Sequence, residues 1–519
     1  MIEAEFGMDW KEEYVVWDPA CGTGNLTRDY KFKELYLSTI NEEDIGIANQ
    51  RGYNPEAVKF QFDFLNDPDE KFPEGLKKAL EEKKPIIVFM NPPYGIANDI
   101  IGKKSLGKGT SMGKNKVNSD MISLNLGKAS QQLYIQFLFR CYQISELYNN
   151  NFAICIYTVP TFLTTITGNK FRKLFLNKFG YKRGSLFNAG HFSNVSSNWG
   201  ISITLWLAGK MDDRTNFNFL VKNMLKGKPV TTENKLIYNL DETISCSLWA
   251  KEYLKRENMI LKPHMTSGLK IAKNYHMKVP EDSIGHIINN GNNVYSGHIS
   301  SGLFSSIGTC GGGVIGFPVT KDNFDRVLSL FVARQSIPVT WINQKDEYMA
   351  PNTEHPDYEQ WNNDCLIYSL FNNSSNQSSL RSIDYKDKKW DIINEWFWMS
   401  VEDMRELAEE HKFDELYADC RNFAGERFIY KKLPETKLSD DAGLVYNKAV
   451  DLVTESFKYR EMLYREHPEY HLNTWDAGWY QIKLILKQFM LDDLKEFRKL
   501  YKEFEDRMRK GVYKFGFLK

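Results

Sequence analysis

The chain has 519 residues, 42% of them hydrophobic and 26% charged, and its 67 basic and 67 acidic side chains give a formal net charge of zero. These values are ordinary for a soluble globular protein of two or three domains; with no membrane-length apolar run and no signal-peptide pattern, the expected location is the cytosol. The seven cysteines are scattered without a Cys-x-x-Cys pair, which argues against a zinc site and against a disulfide framework.

The first predicted element is a short strand, Val15–Trp17, which leads into the loop Asp18-Pro19-Ala20-Cys21-Gly22-Thr23-Gly24-Asn25. The residues Asn25-Leu26-Thr27 are predicted to begin a helix. Gly22 and Gly24 allow the backbone to approach a ligand at the carboxyl end of a first parallel strand, the usual cofactor location in doubly wound sheets. The third glycine of a dinucleotide fingerprint is missing, which disfavours NAD.

Three further strands are predicted downstream. Leu35–Ile40 is the second strand, and Phe60–Leu65, which alternates apolar and polar residues before it meets an acid, is the third. The continuous apolar run Ile86–Met90 indicates a buried fourth strand, and it stops in Asn91-Pro92-Pro93-Tyr94. This tetrapeptide brings two hydrogen-bond acceptors and one aromatic face to a single point, which suits a planar amine.

The tetrapeptide has the groups needed to activate an exocyclic amino nitrogen. On adenine this nitrogen is a poor nucleophile, because its lone pair is delocalised into the ring. The side-chain oxygen of Asn91 and the main-chain oxygen of Pro92 can each accept one N–H and direct the lone pair toward a methyl donor. Pro92 and Pro93 make the turn rigid, and Tyr94 is expected to stack on a base that has left its duplex. An ordinary Pro-Pro turn at a strand end is the alternative.

Together, the two motifs resemble those of DNA amino-methyltransferases that use S-adenosylmethionine. Asp18–Gly24 matches the cofactor motif of that family, and Asn91–Tyr94 matches its catalytic motif. The order along the chain is similar to that of gamma-class adenine-N6 enzymes, including type I modification subunits and single-chain type II restriction-modification enzymes. The resemblance implies an α/β fold for residues 1–210, a Rossmann-like methyltransferase domain with a mainly parallel doubly wound sheet. It also implies S-adenosylmethionine as cofactor, DNA as partner, a restriction subunit as a further candidate partner, and no metal.

The resemblance assigns roles to further residues. Asp18 to Asn25 would bind the cofactor, and Asp63 with Phe64 matches the family's contact to the cofactor adenine. The acid that holds the ribose hydroxyls is assigned to Glu42, although Thr39 stands nearer the predicted end of the second strand. Phe192 is assigned to the wall of the target-base pocket, and a plain core hairpin is the alternative for that segment.

One expected part of the family pattern lies upstream of the glycine loop. Gamma-class enzymes carry a helix-bearing segment there that closes over the methionine end of the cofactor, whereas seventeen residues precede Asp18 here. We expect that the open reading frame lacks its true start, that a partner chain supplies this cap, or that Phe6 and Trp10 replace it.

A lysine-rich segment follows the catalytic motif. Between Ile100 and Ser119 there are five lysines and no acid, namely Lys103, Lys104, Lys108, Lys114 and Lys116. Because contacts to DNA phosphates depend on local patches of positive charge, we predict a mobile loop that folds over substrate DNA. A solvated, disordered insertion is the alternative.

The second half of the chain has a different organisation. Residues 211–400 are predicted to form a mixed target-recognition region, in which Asn372–Ser379 is a polar loop. Residues 401–519 are predicted to be mostly helical and to end in one long amphipathic helix around Trp479–Arg509. By position this half matches the recognition region of the family, where base edges are read in the major groove.

The predicted function is therefore site-specific adenine-N6 methylation of DNA, in a restriction-modification, phage or mobile-element context. A ribosomal-RNA adenine or protein glutamine N-methyltransferase is an alternative, because those families share Asn-Pro-Pro-Tyr, and some cytosine-N4 enzymes use a similar tetrapeptide. A non-catalytic DNA-recognition subunit of a restriction-modification system is another. Pro356-Asp357 and Asp384-Tyr385-Lys386 loosely resemble a magnesium-dependent nuclease pattern. Cytosine-C5 methylation is disfavoured, because the chain has no Pro-Cys dipeptide.

Overall fold

The computed structural model describes residues 1–95, 115–149, 152–191, 199–209, 212–225, 227–255, 257–266, 268–272, 277–308, 316–416 and 426–519. The chain forms two compact units, Met1–Glu242 with Thr340–Asp346, and Thr243–Val339 with Glu347–Lys519. The first unit contains the described residues of the predicted catalytic domain 1–210 and continues to Glu242. The second unit combines most of the predicted regions 211–400 and 401–519, and their functional division stays a prediction.

A nine-stranded sheet with the order β3-β2-β1-β4-β5-β7-β6-β8-β9 forms the centre of the first unit. Strands β1 to β5 are parallel, β7 is antiparallel to both of its neighbours, β8 is parallel to β6, and β9 is antiparallel to β8. The prediction of a Rossmann-like, mainly parallel α/β sheet is thereby confirmed. The strands are β1 Val15–Asp18, β2 Glu34–Thr39, β3 Val58–Gln61, β4 Ile86–Met90, β5 Ala153–Thr158, β6 Phe179–Asn188, β7 Gly200–Ala208, β8 Asn216–Leu225 and β9 Lys228–Tyr238.

Apolar side chains cover both faces of this sheet, because successive strand residues point to opposite faces. In β1, Val15 and Trp17 join one buried cluster with residues of the helices that lie between β3 and β6 in the chain, whereas Val16 joins the other cluster with Ile2 and Trp10. The helices are α1 Glu3–Phe6, α2 Trp10–Glu13, α3 Glu42–Gln50, α4 Glu74–Glu81, α5 Lys116–Ser123, α6 Leu133–Tyr148, α7 Thr161–Thr164 and α8 Asn169–Leu176. Truncating a fully buried residue such as Leu138 of α6 to alanine would cost roughly 2–5 kcal/mol.

The stretch after the glycine loop is a series of turns, so the helix predicted to begin at Asn25 is wrong. The carbonyl oxygen of Thr27 accepts hydrogen bonds from the Tyr30 amide at 3.2 Å and from the side chain of Asn54 at 2.9 Å. These bonds close a tight turn at the position where a helix would need the amide four residues further on. The chain then enters β2 directly.

Helix α5 occupies the last part of the segment between Ile100 and Ser119, which is predicted to be a mobile loop. Lys116 begins this helix, and the side-chain oxygen of Asn115 caps it by accepting a hydrogen bond from the Asn118 amide at 2.7 Å. Val117 and Met121 are buried in the core below. The remaining part of the predicted loop, 96–114, lies outside the described residues.

The second unit contains a four-stranded sheet with the order β16-β13-β14-β17, three two-stranded sheets and a large helical core. Its strands are β10 Met259–Lys262, β11 His264–Met265, β12 Met277–Pro280, β13 Gly285–Asn289, β14 Ser301–Phe304, β15 Ile307–Gly308, β16 Phe317–Val319, β17 Ser375–Asn376, β18 Leu380–Tyr385 and β19 Lys388–Ile392. Its helices are α9 Cys246–Lys251, α10 Val294–Ile299, α11 Phe324–Ser336, α12 Tyr358–Phe371, α13 Val401–Glu410, α14 Phe428–Lys432, α15 Asp440–Ser456, α16 Arg460–Glu466, α17 Trp479–Phe489 and α18 Leu491–Lys514. Within the part of the chain that is described, no helix has the length and apolar character needed to cross a membrane.

The single long helix predicted around Trp479–Arg509 is two helices. Met490, with φ −137° and ψ 51°, leaves the helical region and separates α17 from α18. Residues on both sides of this break, including Leu486 and Leu494, enter the same buried cluster. The change of direction at Met490 therefore allows two amphipathic helices to share one core.

The predicted polar loop Asn372–Ser379 is mostly buried and contains β17. Gln377, Ser378 and Ser379 are each 0% exposed. Most of their polar groups are paired inside the protein: the side-chain amide of Gln377 donates to the Ser369 carbonyl at 3.0 Å, and the backbone amide of Ser379 donates to the Gln481 side chain at 2.9 Å. The Gln377 side-chain oxygen has no hydrogen-bond partner among the described residues. Since internal partners replace water, this polar sequence can lie in the core.

Candidate functional site

The two sequence motifs meet at the carboxyl edge of the central strands. Strands β1 and β4 are parallel neighbours, with Trp17 paired to Val88, so the glycine loop and the tetrapeptide leave the same edge side by side. From strand spacing and rise, the Cα atoms of Asp18 and Asn91 lie about 8 Å apart. The order of the strands reverses between β1 and β4, and such a reversal forms the ligand-binding crevice of doubly wound sheets.

Asp18, the last residue of β1, has a buried carboxyl group that can accept a further hydrogen bond. It is 1% exposed, and its Oδ1 accepts a hydrogen bond from the Ala20 amide at 3.0 Å. Its Oδ2 has no hydrogen-bond partner among the described residues. Burial raises the pKa of this carboxyl to about 7, against a smaller lowering by the Ala20 amide. A cationic or N–H donor that reached Oδ2 would relieve this desolvation.

The glycine loop is held in place and leaves space beside it. Gly22 has φ +49°, and apart from its two chain neighbours no atom of the described residues lies within 4 Å of the position that a Cβ would take there. Pro19 is buried, and the amide of Cys21 donates to the Ser38 carbonyl of β2 at 3.0 Å. The loop is therefore preformed, with open space on one side.

Arg51, directly after α3, braces the far end of this loop. Its Nη1 donates to the side chains of Thr23 at 2.9 Å and Asn25 at 3.0 Å. Gly24, with φ +81°, would place a Cβ 3.8 Å from Ala48 of α3. The loop and α3 thus support each other.

Asp44 is an acid near the site that the sequence analysis missed. Its Oδ2 accepts hydrogen bonds from Thr39 Oγ1 at 3.4 Å and Asn41 Nδ2 at 3.2 Å, at the end of β2. Burial raises the pKa of the Cys21 thiol, and the charges of Asp18 and Asp44 raise it further, so Asp44 acts on the glycine loop electrostatically. Glu42 is exposed at the first residue of α3. The sequence contained a signal for Asp44, because this residue, like Glu42, lies in the first turn of the helix after β2.

Asp63 and Phe64 follow β3. The two carboxyl oxygens of Asp63 accept hydrogen bonds within their own turn, from the Leu65 amide at 3.0 Å and the Asn66 side chain at 2.7 Å. The ring of Phe64 packs against Trp17 and belongs to the core. The predicted contacts of both residues with a cofactor stay predictions.

The tetrapeptide places its acceptors at the mouth of the crevice. Asn91 is exposed and Pro92 is buried. The Tyr94 hydroxyl donates to Asn91 Oδ1 at 2.8 Å, and burial raises the pKa of Tyr94 above its ordinary value, which keeps this group a proton donor. The Gly95 carbonyl accepts a hydrogen bond from the Leu133 amide at 3.1 Å and ties the turn to α6. Since a carbonyl oxygen has two acceptor positions, Asn91 Oδ1 retains one for a substrate.

Trp199 is an aromatic residue beside the tetrapeptide that the sequence analysis did not select. Its ring meets the ring of Tyr94 edge to face, with centroids 6.1 Å apart. Its position directly before β7 was the only sequence signal. Phe192, the residue chosen instead, lies outside the described residues, as do Lys103, Lys104, Lys108 and Lys114. Lys116 is exposed at the start of α5.

The acids of the nuclease-like pattern are engaged with lysines. Asp384 is exposed and pairs with Lys389 at 3.4 Å, and Asp357 pairs with Lys514. Among the residues that the structure describes, there is no group of three or more histidine, cysteine, aspartate or glutamate side chains suited to a metal ion.

No protein-family model and no curated protein matches the chain. Among solved structures, it is similar to the type I restriction-modification methyltransferase subunit from Streptococcus thermophilus, with 17% identity over 45% of this chain and 48% of that chain and a TM-score of 0.28. It is similar to the ATP-dependent type ISP restriction-modification enzyme LlaBIII bound to DNA (14% identity, 58% of this chain, 31% of that chain, TM-score 0.32). It is also similar to the type I restriction enzyme EcoKI M protein, with 16% identity over 42% of this chain and 47% of that chain and a TM-score of 0.26. The chain spans less than half the length of each.

Proposed function

We propose that this chain is a site-specific DNA methyltransferase that transfers a methyl group from S-adenosylmethionine to the N6 amino group of adenine, in a restriction-modification, phage or mobile-element context. The observation that carries the proposal is the pairing of two loops at the point where the strand order reverses. One loop contains the unsatisfied buried acceptor of Asp18, and the other contains the exposed acceptor of Asn91. A cationic methyl donor fits the position beside Asp18, and an amine that accepts the methyl group fits the position beside Asn91.

The residues around the glycine loop fit S-adenosylmethionine. When bound, this cofactor supplies a methyl group made electrophilic by a sulfonium centre. Asp18 Oδ2 would accept a hydrogen bond from its ammonium group, and the open side of Gly22 would let the backbone approach it. Asp44 or Glu42 would bind the ribose hydroxyls, and Asp63 with Phe64 would contact the adenine ring.

The tetrapeptide would orient the attacking amine. Asn91 Oδ1 and the Pro92 carbonyl oxygen would each accept one N–H of adenine, while the Tyr94 hydroxyl keeps the Asn91 carboxamide in one orientation. Held in this way, the nitrogen would direct its lone pair at the methyl group that bound S-adenosylmethionine would supply, with S-adenosylhomocysteine as the leaving product. The product nitrogen loses one proton, and because neither amide oxygen is basic enough to retain it, the proton passes to water.

The test is a methylation assay with a matched control. The purified chain is incubated with unmethylated DNA and methyl-labelled S-adenosylmethionine, and the digested nucleosides are analysed by mass spectrometry. Asn91→Ala should abolish label in N6-methyladenine, whereas Asn177→Ala should not, because Asn177 is an exposed asparagine at the end of α8, which leads to the amino end of β6.

Other outcomes contradict the proposal in distinct ways. Label in N4-methylcytosine would overturn the choice of base. Label only in ribosomal RNA or in a protein glutamine would overturn DNA as the substrate. Intact cofactor and DNA binding without any transfer would identify a non-catalytic recognition subunit.

A further inference from the structure

Beyond Lys222, strand β8 pairs only with β9, and the ends of the two strands form a two-stranded ribbon. Strand β6 pairs with β8 only from Phe219 to Lys222, whereas the pairing between β8 and β9 continues to Leu225 and Lys228. Burial alternates along β8 up to Val221 and then stops, and residues 228–234 of β9 are all exposed. Both faces of the outer ribbon are therefore accessible.

The ribbon projects from the edge of the sheet that carries the tetrapeptide. Strand β5 is parallel to β4, and β7 is antiparallel to β5. Strand β6 is antiparallel to β7, and β8 is parallel to β6. The two reversals cancel, so β8 runs in the same direction as β4, and Leu225 lies toward the edge where β4 ends before Asn91.

The register of the pairings gives the reach of the ribbon. A continuous row of paired residues crosses the sheet from Met90 to Phe219 through Ile156, Thr204 and Gly184. Leu225 lies six residues beyond Phe219, which is about 20 Å of extended strand. Strand β8 is four strands away from β4, or about 19 Å across the sheet. The tip therefore lies toward the same edge of the sheet as the tetrapeptide, four strands away along that edge.

The chemistry of the outer ribbon suits nucleic acid. From Lys222 to Asn234 the sequence has three lysines and one acid. Lys222 Nζ donates to the Thr231 hydroxyl at 2.6 Å, and the amide of Asn223 donates to the Thr232 hydroxyl at 3.1 Å. Side-chain amide and hydroxyl groups can give up these hydrogen bonds and form new ones with base edges, and lysines bind phosphates.

We propose that the β8–β9 ribbon enters the major groove of duplex DNA beside the target base, with Lys222 and Lys228 contacting phosphates. The major groove, about 12 Å wide, admits a two-stranded β-ribbon. Met224, Leu225 and Val230 are exposed apolar side chains on the ribbon that can contact thymine methyl groups. The inference rests on the proposed function, because it takes DNA as the substrate.

The test compares two double variants that remove equal charge. Lys222→Gln with Lys228→Gln alters the ribbon, and Lys77→Gln with Lys78→Gln alters α4, which leads into the amino end of β4 and away from the tetrapeptide. Binding to a mixed-sequence 30-base-pair duplex is followed by fluorescence anisotropy from about 50 to 200 mM salt, the range over which phosphate contacts are most visible. Calorimetry with S-adenosylmethionine and thermal melting check that each variant is folded.

In the ribbon variant, each lysine removed should lower the slope of log Kd against log salt concentration by about 0.9. Each should also weaken DNA binding roughly tenfold near 0.1 M salt. The α4 variant should match the wild type. On a duplex whose cytosines carry bulky 5-substituents in the major groove, wild-type binding should weaken while the ribbon variant shows little further loss.

Two outcomes overturn the inference and are distinguishable from each other. If the wild type binds DNA and the ribbon variant keeps its slope and affinity, the ribbon is not a DNA contact, and its apolar tip then points to a protein partner. If the folded wild type binds S-adenosylmethionine but no duplex at any salt concentration, the proposed function fails together with the ribbon.

Discussion

The hydroxyl of Tyr94 donates a hydrogen bond to Oδ1 of Asn91 at 2.8 Å, three residues apart in one tight turn. The same oxygen is the proposed acceptor for the substrate amine, so Tyr94 determines the orientation of that acceptor before any substrate binds. An amide that is already oriented loses less rotational freedom when the reaction occurs.

Tyr94→Phe should therefore keep the aromatic ring and lower kcat by roughly two- to tenfold, the value of one net hydrogen bond. The Kd for S-adenosylmethionine should not change, because the hydroxyl faces Asn91 rather than the glycine loop. Single-turnover methylation and calorimetry measure the two quantities. A wild-type kcat in this variant would show that the Asn91 orientation does not depend on Tyr94.

Cofactor affinity should depend on the ionisation of Asp18. In the free protein, burial raises the pKa of this carboxyl to about 7, so below pH 7 it must lose a proton to pair with a cationic ligand. Affinity for S-adenosylmethionine should rise by up to about tenfold per pH unit from pH 5.5 toward 7 and then level off. Calorimetry at a series of pH values measures this, and Asp18→Asn should bind weakly with no such dependence. A flat profile in the wild type would mean that Asp18 does not bind the cationic group.

Arg51 should contribute to cofactor binding without touching the cofactor. Its two hydrogen bonds to Thr23 and Asn25 hold the glycine loop against α3. Arg51→Ala should raise the Kd for S-adenosylmethionine by roughly three- to tenfold, because these partly solvated bonds are each worth about 0.5–1.5 kcal/mol. Arg28→Ala is the control, since Arg28 is exposed and, among the described residues, pairs with the neighbouring exposed Asp29. Equal affinities in both variants would contradict a bracing role.

Lys483 should make the second unit more stable at alkaline pH. Burial, with smaller contributions from Lys487 and Arg498, lowers the pKa of its ammonium to about 8, whereas the unfolded chain has the ordinary value of 10.5. Between pH 8 and 10.5 the unfolded state binds more protons, so this group makes the free energy of unfolding rise with pH. Below pH 8 the full penalty is present, on the order of 3 kcal/mol.

Lys483→Met should remove this penalty, raising stability at pH 7 and flattening its dependence on pH from 8 to 10.5. Urea unfolding across this range measures both effects. Lys487→Met, on the exposed side of the same helix, is the comparison: it removes only a smaller contribution to the lowered pKa, so it should change the profile much less than Lys483→Met. A profile identical in the wild type and Lys483→Met would contradict the prediction.

The sequence predicted the parts of the site whose residue types act locally. Glycines at 22 and 24 and prolines at 92 and 93 restrict the backbone by themselves, and the apolar run Ile86–Met90 can only be a buried element. Since parallel strands end at one edge of a sheet, the sequence alone predicts that the two motifs lie together.

Other features depend on partners that are distant in sequence, and no local pattern reports them. The turns after Asn25 depend on the side chain of Asn54, and the buried serines near Gln377 depend on Gln481. Trp199 is a single aromatic residue whose importance comes from its contact with Tyr94. The direction of the β8–β9 ribbon follows from two strand reversals, which only the full topology reveals.

The ribbon has a mechanical property that follows from its geometry. Adding two residues to each strand beyond Leu225 and Lys228 would move the tip outward by about 7 Å and leave the facing of every existing side chain unchanged, since the strand repeat is two. No buried contact of the sheet would be altered, because the burial of β8 ends at Val221. Insertions of two residues per strand can therefore lengthen the β8–β9 ribbon while the fold below it stays the same.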